Sequence, residues 1–123
     1  MHVALITGDR NWNDAELIYD TIAFVAPDYL IEGEARGADS IGRDAARALG
    51  ITVIPYPALW ETEGRAAGPL RNIRMLDRLK SARDHGHVCT VLAFHDDLEH
   101  SKGTRHMVGI ARAASFVVNV YSH

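Results

Sequence analysis

His2-Val-Ala-Leu-Ile-Thr7, closed by Gly8, is a short and mostly apolar run bounded by glycine and polar residues. Its apolar residues do not alternate with polar ones, so it reads as a strand buried on both faces, as parallel-sheet strands are. The same reading fits Tyr29-Leu-Ile31 before Gly33, Ile51-Thr-Val-Ile54, Val88 to Phe94 and Phe116 to Val120. Between these runs the period changes. Asn11-Trp-Asn-Asp14 offers capping side chains, after which Leu17, Ile18, Ile22 and Val25 recur at helical spacing until Pro27. Ala38 to Leu49 reads as a helix with Ile41, Ala45, Ala48 and Leu49 on one stripe and Gly50 just past its end. Another helix starts at Pro69, turns Leu70, Ile73, Leu76 and Leu79 toward the core, and ends at His85-Gly86. Thr104 to Ala114 is the last helix. Pro55 to Gly68 and His95 to Lys102 read as loops.

Strands alternating with amphipathic helices define the α/β class: a three-layer, Rossmann-like, doubly wound parallel sheet of five strands. Right-handed crossovers favour the strand order 3-2-1-4-5. The length of 123 residues allows a single domain spanning 1–123, without repeats or an interdomain linker.

Composition removes several classes of function. The chain carries 13 Lys+Arg against 16 Asp+Glu, a net charge of −3, and is 47% hydrophobic and 24% charged, which argues against disorder. A pI near 6.1 argues against a surface built throughout to grip nucleic acid. No apolar run approaches the ~20 residues of a membrane helix. The segment Met1-His2-Val3 lacks the pattern of a secretory signal, and Cys89 is the sole cysteine, so a reducing cytoplasmic setting is expected. Cys89 itself reads as an inert core residue.

Eleven of the 13 basic residues are arginine, whose planar fork suits carboxylate and phosphate, so their placement decides more than their number. In an open parallel sheet, ligands bind beyond the carboxyl ends of the strands, near the point where strand order reverses. Four loops reach that edge, carrying Gly8-Asp9-Arg10, then Arg36-Gly37-Ala38-Asp39-Ser40, then Gly68 with Arg71-Asn72, and lastly Gly103-Thr104. Glycine admits a phosphate to the backbone, a helix start points free N–H groups at it, and arginine binds it through two hydrogen bonds. The fingerprints G-x-G-x-x-G and G-x-x-x-x-G-K-[ST] are both absent, which disfavours an ordinary dinucleotide dehydrogenase and a P-loop ATPase.

Gly8-x-Arg10, Ala35-Arg-Gly-Ala-Asp39, Trp60-x-x-x-Gly64-x-x-x-Gly68-x-x-Arg71-Asn72-x-x-Met75 and Gly103-Thr104 together resemble the small YspA-type members of the SLOG superfamily. That superfamily also holds the Lonely Guy phosphoribohydrolases and the Rossmann-like domain of the DNA-processing protein A family. The resemblance implies a bacterial or phage Rossmann-like domain that binds a nucleotide or nucleotide-derived ligand, as a sensor or a nucleotide-processing enzyme. In the phosphoribohydrolases an arginine in an Arg-x-x-x-Met block works with a glutamate three residues after Gly-Thr. Arg71 and Met75 resemble the block, but Met107 stands at the glutamate position and cannot ionise. Leu59 replaces an aspartate frequent in small relatives.

Several side chains have two readings. Asp39 is a helix cap or a ribose contact, and Trp60 is a base-stacking surface or a plug that pins its loop. Glu34 and Asp39, with Arg71, are the candidate catalytic groups should an N-glycosidic bond be cleaved. His85, His87, His95, His100 and His106 match no zinc spacing, so no metal and no bound cofactor are expected. The favoured expectation is a small-molecule nucleotide ligand, with Gly8, Asp9, Arg10, Arg36, Gly37, Gly68, Arg71, Gly103 and Thr104 around its phosphate. Asp39, Ser40 and Asn72 would add polar contacts. A hydrolase is the alternative. A single-stranded nucleic-acid module is least favoured, because such binding needs many phosphate contacts from a chain of net negative charge. Self-association, as a dimer, is also expected.

Overall fold

A computed structural model describes all 123 residues. Five strands, β1 (His2–Gly8), β2 (Tyr29–Glu32), β3 (Thr52–Pro55), β4 (Val88–Phe94) and β5 (Val117–Tyr121), form one sheet in the order 3-2-1-4-5. Every neighbouring pair is parallel. The longest register, His2↔Val88 through Gly8↔Phe94, joins the central strand β1 to β4, between which strand order reverses.

Five helices connect them: α1 (Ala15–Val25), α2 (Ala38–Ala48), the single turn α3 (Trp60–Glu63), α4 (Ala67–Asp84) and α5 (Gly103–Ala113). Successive residues of β1 point to opposite faces and so feed two cores. Ala4 and Ile6 join Ile18, Ile22, Leu30, Ala45, Leu92 and Phe94 under α1 and α2. Val3 and Leu5 join Ile31, Met75, Leu79, Val91 and Met107 under α4 and α5. The expected Rossmann-like, doubly wound sheet is the observed one.

Asp14 caps α1 as its position suggested, its Oδ1 accepting the Leu17 N–H at 3.1 Å. Three local expectations need correction. In α2 the buried positions are Ala38, Asp39, Gly42, Ala45 and Ala46, whereas Ala48 is exposed and Ile41 and Leu49 are only partly buried. Small residues win the inner face because the helix lies close to β1: a Cβ on Gly42 would stand 2.5 Å from Ile6 Cδ1. The Pro55–Gly68 loop contains α3 and a 3-10 turn, and α4 begins at Ala67, two residues before Pro69. A proline suits any place in the first turn, where N–H groups lack helical acceptors. Finally, Leu70 and Ile73 turn outward, 36% and 44% exposed, while Arg71, Asn72, Met75 and Leu76 turn inward. The first turns of α4 cross the carboxyl edge of the sheet, where a polar crevice takes the place of the core.

Gly37, which caps α2 at φ 74, packs against Asp9 and Arg10 in the loop that follows β1. A Cβ there would lie 2.3 Å from the Asp9 carbonyl oxygen, which itself accepts the Ala38 N–H at 3.1 Å. Gly37→Ala should therefore lose stability to backbone strain, of about 1–3 kcal/mol, and to this collision as well. Gly50→Ala, also at φ 74 but facing open space, should lose only the strain. Comparison of the two thermal midpoints checks it, and equal losses would refute the packing role of Gly37.

Candidate functional site

Three arginines that are distant along the chain meet at the carboxyl edge. Arg10 follows β1, Arg36 precedes α2, and Arg71 lies in the second turn of α4. All three line one cavity of about 360 Å³ that opens where strand order reverses. Gly8, Asp9, Asp39, Asn72, Gly103 and Thr104 line it too, so most of the residues proposed from sequence are brought together. Lys102, Asn11, His95 and Ser101 complete the polar wall. All four lie in the loops that leave β1 and β4 at the carboxyl edge, and that location was the one signal by which sequence could have marked them.

Arg71 is the innermost cation, 8% exposed. Its Nη1 donates to the Gly33 carbonyl at 2.5 Å and its Nε to Asn72 Oδ1 at 3.0 Å. Asn72 Nδ2 donates onward to the Gly103 carbonyl at 3.3 Å and to His106 Nδ1 at 3.1 Å. The amide of Asn72 thus ties Arg71 to α5 while the residue itself lines the cavity. Desolvation lowers the Arg71 pKa, opposed by the nearby charge of Asp39. Gly33 admits this arrangement by having no side chain, since a Cβ would stand 2.6 Å from Arg71 Nη1 and 2.9 Å from Asp39 Oδ2.

Asp39, 6% exposed, does not cap its helix in the ordinary way. Its Oδ2 reaches back to accept the Gly33 N–H at 3.2 Å, and a second backbone hydrogen bond comes from Ala35. Burial raises its pKa to about 6, against the pull of Arg71. Behind it, Glu32 is fully buried at the end of β2. Its Oε2 accepts the Glu34 N–H at 2.6 Å, and its Oε1 has no partner. Desolvation, then its hydrogen bond with the Glu34 carboxylate, pushes Glu32 up to about 8, so it is a neutral acid at neutral pH. That same hydrogen bond, aided by Arg43 and Arg47, holds Glu34 below its usual range and therefore ionised.

Not every expected residue reaches the cavity. Gly37 and Ser40 stay within the turn into α2, where Ser40 Oγ donates to the Gly37 carbonyl at 3.1 Å. Gly68 lies under the Trp60 ring instead. The helices contribute differently: α5 lines the cavity with its first residues, Gly103 and Thr104, α2 with Asp39, and α4 with Arg71 and Asn72 from beyond its first turn. The start of α5 has no acidic residue in its first turn, and the Thr104 N–H donates to Ser101 Oγ at 3.1 Å. Met107 is fully buried in the core under α4 and α5 and contributes nothing to the cavity. The histidines disperse, with no three metal-ligating side chains converging. Cys89 is half-buried in β4, its thiol pushed up by burial.

A doubly wound parallel sheet with an arginine-lined polar crevice at its switch point defines the chain as a Rossmann-like domain. Residues 2–62 match the model of the YspA, cpYpsA-related SLOG family. The Gene 61 protein of Mycobacterium phage D29 is 39% identical over 128 residues, covering 96% of this chain and 94% of that protein. The chain belongs to this SLOG family. Its fold is also similar to that of DNA processing protein A (DprA) from Streptococcus pneumoniae, with a TM-score of 0.56 at 14% identity. That likeness covers 97% of this chain but only 58% of the pneumococcal one. No helix is long and apolar enough to cross a membrane.

The buried acid at β2 makes stability depend on pH. Glu32 has a raised folded pKa, so the folded state holds a proton that the unfolded state has released, and stability falls as pH rises from the ordinary carboxyl range to about 8. Glu32→Gln keeps the uncharged shape and should be nearly silent at about pH 5, yet stabilise the protein at about pH 9. Thermal midpoints of both proteins across that range decide it, and a constant difference would refute the neutral state of Glu32.

Proposed function

We propose that the chain binds a phosphate-bearing nucleotide derivative at the carboxyl edge of its sheet. The observation that carries this reading is the convergence of Arg10, Arg36, Arg71 and Lys102 on one cavity with the start of α5. These cations outnumber the carboxylates of Asp9 and Asp39 there, although the chain as a whole is negative. A phosphate suits such a place, since guanidinium forks give paired, charge-assisted hydrogen bonds and a helix start adds its dipole. Arg71 is held in place before any ligand arrives, which lowers the entropic cost of binding. Asp39, a hydrogen-bond acceptor beside the phosphate position, suits a ribose hydroxyl. Membership of the SLOG family supports the same reading.

Cleavage of an N-glycosidic bond has less support. The position that holds the glutamate in the phosphoribohydrolases is the buried Met107, and the carboxylate of Glu34 lies outside this cavity. The function proposed is therefore binding, as a sensor or carrier of the ligand.

Calorimetric titration with AMP, ADP-ribose and NAD should give saturable binding by the wild-type protein that weakens as salt is raised. Arg71→Ala should lose at least roughly tenfold in affinity, equivalent to about 1.4 kcal/mol, while circular dichroism reports an intact fold. Absence of binding by all three at millimolar concentration would overturn the proposal.

A further inference from the structure

Beside the phosphate cavity lies a second, of about 480 Å³, lined by Gly33, Glu34, Pro57, Ala58 and Trp60. Arg10, Ala35, Arg36 and Arg71 line both, so the two are compartments of one crevice that meet at the arginines. Their chemistry differs. The first is mostly polar, walled by cations, two carboxylates and the start of α5, whereas the second adds an indole ring and the apolar surface of Pro57 and Ala58 beside Glu34.

Two features of the second compartment are costly for a purely structural wall. Trp60 is 51% exposed, although tryptophan is highly buried on average. It is therefore not the plug of its loop. Its ring is seated against Gly68, where a Cβ would come 3.5 Å from Cη2, and it also lines the compartment. Glu34 holds φ 56, an unfavourable conformation for a residue with a side chain. Two contacts keep it there: its N–H donates to Glu32 Oε2 at 2.6 Å, and its carboxylate lies 3.4 Å from Arg43 Nη1. The strained backbone thus sets an ionised acceptor in the same compartment as an exposed aromatic ring.

We propose that this compartment receives the base of the ligand whose phosphate lies among Arg10, Arg36 and Arg71, with the base stacked on Trp60 and its N–H edge donating to Glu34. The inference rests on the phosphate-binding reading and adds which nucleotides are chosen. An ionised carboxylate only accepts hydrogen bonds. Guanine offers two adjacent N–H donors on its Watson–Crick edge, adenine and cytosine one amine beside an acceptor nitrogen, and uracil a single N–H between two carbonyls. Guanine should bind best, adenine and cytosine next, and uracil least.

The test uses the full chain carrying Trp12→Phe, so that Trp60 is its sole tryptophan. GMP, AMP, CMP, UMP and ribose 5-phosphate are titrated by fluorescence and by calorimetry. GMP should quench Trp60 and bind more tightly than UMP. Trp60→Ala should weaken GMP by roughly tenfold, as expected for loss of one base–aromatic stack, and leave ribose 5-phosphate unchanged. Glu34→Gln should narrow the gap between GMP and UMP. If GMP binding depends on Arg71 but ignores Trp60, or if GMP and UMP bind equally, the base compartment is refuted while the phosphate reading stands. If neither ribose 5-phosphate nor any nucleotide binds, both fall together.

Discussion

The Arg71 guanidinium, clamped between the Gly33 carbonyl and the Asn72 amide, is the contact on which the site depends. It links the end of β2 to α4, and through Asn72 to the first residue of α5. These elements meet beyond the carboxyl ends of the strands at the break in strand order, where the chain leaves β1 and β4 in opposite directions and a crevice opens. A charge buried so far must find partners or be expelled. Here backbone carbonyl, amide and the field of Asp39 supply enough compensation to hold it, and the crevice takes its shape around it.

The acids around Arg71 follow the same electrostatic logic. Asp39 and Glu32 both lose solvation, but Asp39 has two backbone donors and a nearby guanidinium, so its pKa rises only to about 6. Glu32 has one donor, an unpartnered oxygen and a carboxylate neighbour, and it rises further. One proton is thereby kept at the end of β2, which lets Glu34 remain ionised toward solvent despite its acidic neighbour. Charge at this edge is thus set by the order in which groups lose water, and not by the residue types alone.

The architecture was legible because it depends on a one-dimensional signal. Apolar runs such as His2–Thr7 and Val88–Phe94 are long enough to mark strands, and Asp14, Pro27 and Gly50 punctuate the helices between them. Helix faces were harder to read. Leu70 and Ile73 look like core residues by spacing, yet face outward, because the turn that carries them passes over a polar crevice. On α2 the bulky Ile41 and Leu49 look like the inner stripe by spacing, yet Gly42 and Ala46 face the sheet, and at Gly42 the approach to Ile6 leaves no room for a side chain. Apolar character can be read in order along a chain, whereas the distance between a helix and its sheet cannot.

By itself, the sequence determined the parallel doubly wound sheet, the edge at which its glycine-rich loops gather, and the arginines that reach it, since each follows from period, punctuation and handedness. Tertiary structure alone decided that Gly37 and Gly68 lie in tight packing contacts outside the first cavity, that Asn72 is hydrogen-bonded to Arg71, and that Trp60 stands half-exposed over a second compartment. Those roles depend on what lies within a few ångströms across the fold, and residues such as Gly33 and Arg71 become neighbours only when the chain closes on itself.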